Sequence, residues 1–389
     1  MLTSTINFKN FKKKNKLIEI QIKNKLNSLL NEKNFILESL KKSYKNSYSK
    51  KKLAKYNKID NFKVIGMGGS TLGTQTIYDF FRNKIKKNFI FIDNLNQKKI
   101  KIRGNKNLNL VVSKSGNTIE TIVNSNIYIK RGDKNIFITE NKDNYLRRLA
   151  HKLKADVVHH NNFIGGRYSV LSEVGMLPAE LMGLNTIRFK QLNSLIKNKK
   201  FINALITNVS AKLNYLKNKR FNSIILNYDE RSENLFKWYQ QLVAESLGKK
   251  RKGLLPVISN MPKDNHSVMQ LYLDGFQNNF YTFFYTHEPK SERINSSKIL
   301  SSQKFLKSKN LSNIMYAQKI ATEKIFQKKK IPFRSFEIKK RDEKTLGEIF
   351  CFFILETILL GKSLNVNPYD QPSVELIKKE TRKLLIRKR

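Results

Sequence analysis

From Phe62 onward the chain repeats one phrase: a short apolar run, a turn rich in Gly or Ser, then a stretch of helical periodicity. FKVIGMG, NFIFID, NLNLVVSKSG and KNIFIT supply the apolar runs, with helical spacing over residues 71–82 and 117–130 between them. Strands joined through helices predict βαβ units, and hence a parallel sheet covered on both faces. The phrase then recurs. A helical stretch over residues 189–217 leads into FNSIILNYD, a helix near 232–246, the strand-like LLPVIS, and later NNFYTFFYT and IPFRSFEI. The expected fold is α/β, with two tandem doubly wound parallel-sheet units and a boundary near residues 190–205. Ligands in such sheets sit at the carboxyl ends of the strands.

The flanks read differently. Residues 14–45 place Leu17, Ile20, Ile22, Leu26, Leu29 and Leu30 among basic positions at helical spacing, which predicts an N-terminal helical layer. IFCFFILETILL is too short to span a bilayer, is interrupted by Glu356 and Thr357, and reads as a buried helix holding Cys351. The expected division is an N-terminal helical extension over 1–50, a first domain over 51–195, a second domain over 196–362, and a C-terminal helical segment over 363–389. The Lys- and Ser-rich residues 290–313 read as the most loop-like part of the second half. A single cysteine excludes an intramolecular disulfide framework, and no apolar leader opens the chain, so a cytoplasmic protein with no membrane partner is expected.

The net charge of +46 invites a nucleic-acid reading. The lysines that produce it are scattered along the chain, however, and are not gathered into a stripe. Asn, Ile, Phe and Tyr are abundant as well, a pattern that fits A- and T-rich codons acting on solvated surfaces. No nucleic-acid partner is expected.

Two loops carry the first chemical signal. In VIGMGGSTLG, residues 64–73, an apolar strand ends in glycines that let backbone approach an anion at a helix N-terminus. In VVSKSGNTIET, residues 111–121, three hydroxyls fall within six residues at another strand-to-helix turn. Hydroxyls and amides can surround a phosphate dianion without a metal. The competing reading is an N-capping cluster, since Ser, Thr and Asn are what helix starts prefer.

These loops, GxGGSxLG and SKSGNTxET, resemble those of the sugar isomerase (SIS) domain superfamily, whose domains are flavodoxin-like. Residues 163–175, FIGGRYSVLSEVG, with Asn162 before them, resemble the first signature of the phosphoglucose isomerase family. Residues 361–378, GKSLNVNPYDQPSVELIK, resemble the second, supplying Gly361, Tyr369, Asp370, Gln371, Val374, Glu375 and Lys378. QQLVAESLGKKRKG and KDNHSVMQL are similar to two further blocks. The likeness runs in order over about residues 60–380, in a chain of the compact length of short bacterial members. Ser373 departs from the pattern, standing where glycine or alanine is preferred and where it would crowd the turn before Lys378.

The resemblance implies an aldose–ketose isomerase that interconverts glucose 6-phosphate and fructose 6-phosphate through a cis-enediolate, in glycolysis and gluconeogenesis, with no metal and no cofactor. It implies Glu245 as the base for proton transfer between C2 and C1, and Arg167 as the stabiliser of the developing oxyanion. His266 and Lys378 would open the sugar ring, His266 being donated across a homodimer interface. The phosphate would sit on Ser70, Ser113, Lys114 (through its backbone N–H), Ser115 and Thr118, and Gln241 and Gln371 would line the sugar; Gly69, Gly116, Asn117 and Gly166 would be further substrate-binding positions. Two other readings share the fold: a dual phosphoglucose/phosphomannose isomerase, and a non-catalytic phosphosugar sensor. A sensor needs the phosphate loops but no base.

Overall fold

The computed structural model describes residues 2–12, 15–97 and 107–387. Lys14, where the predicted N-terminal helical layer begins, and the last two residues of the predicted C-terminal segment lie outside them.

Two five-stranded sheets carry the chain. The first is built from β2 (Asn61–Gly66), β3 (Asn88–Ile92), β4 (Asn107–Val112), β5 (Lys134–Thr139) and β6 (Asp156–His159) in the order β3-β2-β4-β5-β6, every pair parallel. This is the flavodoxin-like 2-1-3-4-5 order. All six residues of β4 are buried, which is why it reads as an unbroken run and not as an alternation.

The second sheet holds β7 (Asn222–Asn227), β8 (Leu255–Asn260), β9 (Asn279–Thr286) and β10 (Phe333–Ile338), all parallel. Its fifth strand corrects the sequence reading twice. β1 (Ile6–Lys9) lies inside the supposed helical extension, and it pairs with β10 antiparallel, so the second sheet is not wholly parallel.

Other differences are local. The helical stretch over 189–217 is broken into a short helix, Leu192–Leu195, and a long one, Lys199–Lys217, because the Asn198 side chain accepts from the Lys200 and Phe201 N–H groups and starts a new helix. Helix Leu311–Lys328 begins inside the predicted loop and is likewise capped by an asparagine, Asn310. Asn15 and Asn144 cap two more helices, so an abundance traceable to codon usage serves the helix starts well.

The two halves meet through helices. Leu72–Phe80, which follows β2, packs on Glu233–Leu247, which follows β7. Behind them runs helix Glu343–Ser363, the apolar stretch of the sequence, buried along its length except at Lys344 and its last two residues. Glu356, which interrupts that stretch, is fully buried in a cationic nest. It accepts from Arg334 at 2.5 Å, Lys212 at 3.0 Å and the Tyr239 hydroxyl at 2.9 Å. Burial alone would raise its carboxyl, but Arg334 and Lys212 outweigh that and hold it at about 2. Among the described residues, no helix is long and apolar enough to cross a membrane.

Candidate active site

Glycine packing brings two distant loops together. A Cβ on Gly69 would stand 2.3 Å from the Gly166 carbonyl carbon and 2.5 Å from the Arg167 nitrogen. The turn after β2 and the turn carrying Arg167 therefore touch backbone to backbone, and only glycine permits it.

In the loop after β4, Thr118 occupies the N-cap position of helix Ile119–Tyr128, yet its side chain makes no capping bond. Its hydroxyl lies 2.9 Å from the Ser113 hydroxyl, and both residues line a cleft of about 650 Å³ with Ser70, Lys114 and Ser115. Gly116 and Asn117 do not line it. Gly116, at φ +66°, packs against Asn144, and the Asn117 side chain accepts from the Tyr145 N–H at 3.0 Å. Both hold the loop to helix Tyr145–Lys152. The Lys114 amine is 3.5 Å from Glu140, a carboxylate that also faces Lys142.

Across the cleft, Arg167 is 1% exposed and uses every donor it has. Nε donates to Ser246 at 2.8 Å. Nη1 donates to Glu245 at 3.1 Å and Gln371 at 2.7 Å, and Nη2 to the carbonyls of Pro368 at 2.8 Å and Asp370 at 3.1 Å. The planar fork thus joins the end of helix Glu233–Leu247 to the segment 368–371. Gln241, one turn before Glu245, donates to its other carboxylate oxygen at 2.8 Å. Glu245 is left partly open to the cleft, with its side chain 29% exposed.

Gly69, Gly166, Gln241, Glu245, Gln371 and Lys378 all line this space. The Lys378 amine is mostly solvated and 2.7 Å from Glu375 on the same helix, Val374–Arg387. Ser373 is exposed, and its carbonyl accepts from the Leu376 N–H. His266 stands apart. It is exposed at the end of a short 3-10 turn after β8 and is absent from the cleft of its own chain.

The cleft also contains residues the sequence reading did not name as site residues: Asn162, Phe163, Glu120, Glu140, Tyr369 and Glu375. Asn162 and Glu375 lie inside the quoted signatures, and Glu140 directly follows β5, where ligand sites in such sheets gather. Chemically, the arrangement offers a hydroxyl-rich loop at one end and a carboxylate paired with a buried guanidinium at the other.

The family described as Phosphoglucose isomerase matches residues 14–261. The chain is 32% identical to glucose-6-phosphate isomerase from Methanocaldococcus jannaschii over 349 residues, covering 83% of this chain and 84% of that one. Among solved structures, a hypothetical protein from Thermus thermophilus superposes with a TM-score of 0.82 at 23% identity, covering 95% of each chain. A glucose-6-phosphate isomerase from Chlamydia trachomatis gives 0.67 at 20% identity, over 86% of this chain and 72% of that one. At those identities the two structures speak for the fold.

Proposed function

The chain belongs to the phosphoglucose isomerase family, and on that premise we propose that the cleft between its two sheets interconverts glucose 6-phosphate and fructose 6-phosphate with Glu245 as the base. The observation that carries this reading is the convergence of Glu245, Arg167 and Gln371 on one wall with the hydroxyls of Ser113 and Thr118 on another. A non-catalytic sensor has no use for the first group.

The steps follow from the chemistry of the residues. The hydroxyls of Ser70, Ser113, Ser115 and Thr118, with the Lys114 backbone N–H, hold the phosphate and fix the distance to the reacting carbons. With the sugar ring open, the Glu245 carboxylate removes the C2 proton of the aldose, and the electron pair moves onto the C1 oxygen to give an enediol(ate). The Nη1 edge of Arg167, already aimed between Glu245 and Gln371, stabilises that negative charge. The C2 hydroxyl proton passes to the C1 oxygen, and Glu245 returns its proton to C1 as the C2 oxygen becomes the ketone, so no atom or electron is gained or lost. Ring opening falls to His266 and Lys378 as proton donor and acceptor at the ring and anomeric oxygens.

His266 completes the site only if a second copy supplies it, and a homodimer is part of the proposal. Its exposure supports this, as does helix Val374–Arg387, whose residues 374–386 are all exposed in the single chain, showing Leu376, Ile377, Leu384 and Leu385 to solvent. A glycolytic role in the cytoplasm agrees with the buried, lone Cys351. Coupled assay of the purified chain with fructose 6-phosphate tests the reading: turnover to glucose 6-phosphate is expected, and its absence refutes it. Mannose 6-phosphate in the same assay separates a dual isomerase.

A further inference from the structure

Arg167 belongs to a closed ring of hydrogen bonds behind the cleft. Its Nε donates to the Ser246 hydroxyl at 2.8 Å, Ser246 lies 2.9 Å from the Tyr168 hydroxyl, and Tyr168 donates to the Pro368 carbonyl at 3.0 Å. That carbonyl also accepts from Arg167 Nη2 at 2.8 Å, which closes the ring. Ser246 and Tyr168 are fully buried, and neither lines the cleft.

The direction of every bond in the ring is fixed by the groups that make it. A guanidinium only donates and a carbonyl only accepts. The single Tyr168 proton therefore goes to Pro368, and the Tyr168 oxygen accepts from Ser246. The Ser246 proton is thereby committed to Tyr168, and its oxygen is left facing Arg167 Nε as an acceptor. Because the guanidinium is a rigid plane, holding Nε on one side and Nη2 on the other sets where Nη1 points. It points at Glu245 and Gln371, both of which line the cleft.

Ser246 also directly follows Glu245 on helix Glu233–Leu247, and Trp238 of the same helix donates its indole N–H to the Arg167 carbonyl at 3.0 Å. One rigid element thus carries the carboxylate and grips the arginine by both its backbone and its side chain. The 3.1 Å between Nη1 and Glu245 is set within that element.

We propose that Ser246 is a positioning residue for isomerisation, holding Arg167 Nε with its own proton committed to Tyr168 so that Nη1 stays aimed between Glu245 and Gln371. This rests on the reading of the cleft as a phosphosugar isomerase site.

Steady-state turnover of fructose 6-phosphate, set beside calorimetric binding of glucitol 6-phosphate, which cannot isomerise, tests the assignment. Ser246→Ala takes the acceptor away from a charged donor and is expected to lower kcat about ten- to a hundredfold. Glucitol 6-phosphate should bind it with little change, because the hydroxyl loop is untouched; a general loosening of the fold would weaken both. Ser246→Thr, which restores the hydroxyl, should recover most of kcat. Tyr168→Phe opens the ring one bond further from Arg167, so it should lower kcat less and add nothing to Ser246→Ala. Near-normal kcat in Ser246→Ala, parallel losses of kcat and binding, a Ser246→Thr chain as slow as Ser246→Ala, or additive losses in the double variant overturns the assignment. If Ser246→Ala does not fold, Tyr168→Phe decides: reduced kcat with unchanged binding supports the ring, and unchanged kcat overturns it. These results overturn the assignment alone, in a chain that is active when unmodified. An unmodified chain without turnover overturns the functional reading, and the assignment with it.

Discussion

Arg167 Nη1 lies 3.1 Å from Glu245 Oε2, in a guanidinium whose five donors are all engaged between residues 245–246 and 368–371. A lysine offers three donors from one point and cannot span both segments. Arg167→Lys should lower kcat by about 10²–10³, the typical loss when one oxyanion donor is removed. It should also lower the melting temperature, because the Asp370 carbonyl loses its Arg167 donor and the buried Pro368 carbonyl keeps only the Tyr168 hydroxyl. Near-normal turnover in Arg167→Lys would show that the positive charge, and not the fork, is what matters.

Gly69→Ala tests the loop contact. The added methyl would fall 2.3 Å from the Gly166 carbonyl carbon, so the two loops must separate. A displacement on the order of 1 Å is worth about 10²-fold in rate, and kcat/KM should fall by at least that much in a chain that still folds. Gly165→Ala is the comparison. Its methyl meets nothing nearer than 3.8 Å, and the loop spacing should survive. Equal effects of the two substitutions in steady-state kinetics would contradict the close approach.

Much of this was legible in the sequence, for physical reasons. Strands buried on both faces, such as β4, leave unbroken apolar runs, and glycine turns mark their carboxyl ends. Glu245 was not legible from pattern alone, since a carboxylate late in an amphipathic helix is normally solvated; the family block that QQLVAESLGKKRKG resembles singled it out. β1 is four residues long and pairs with Phe336 and its neighbours more than 300 residues away, a contact no local pattern encodes. The turning of Gly116 and Asn117 toward helix Tyr145–Lys152, away from the cleft, depends on that helix's position.

His160 gives the pH dependence. Burial pushes its imidazole down to about 4, and its Nδ1 lies 3.0 Å from the Asn161 carbonyl, which can only accept, so the ring carries its proton there and stays neutral. Nearby Lys114 and His159 also disfavour a second proton, and the oxygens of Glu173 already accept from Asn161 and Tyr44. The unfolded chain takes up that proton near 6.5 while the folded chain does not until about 4. Stability from this residue is therefore present above pH 6.5 and is lost as pH falls toward 4, at up to about 1.4 kcal/mol per pH unit. His160→Asn, which keeps a donor for the carbonyl, should flatten denaturant-derived stability over that range. An unchanged slope would contradict the burial argument.

His266 supplies a test of assembly. His266→Ala and Glu245→Gln chains, each inactive alone, should restore activity when refolded together, because one of the two sites in a mixed two-fold dimer keeps both residues. Activity should scale with the proportion of mixed dimer measured by mass. Mixed dimers that form and stay inactive would place His266 outside the shared site.

The central claim is that Glu245 moves the proton, and solvent exchange at the reacting carbons reads it directly. With fructose 6-phosphate in heavy water, the unmodified chain should wash deuterium into C1 of the ketose and C2 of the aldose as isomerisation proceeds. Glu245→Gln, binding glucitol 6-phosphate with little change, should lose exchange and isomerisation together by a factor of at least about 10²–10⁴. Exchange that persists in Glu245→Gln at near the unmodified rate would contradict the account, because another group would then be taking the proton.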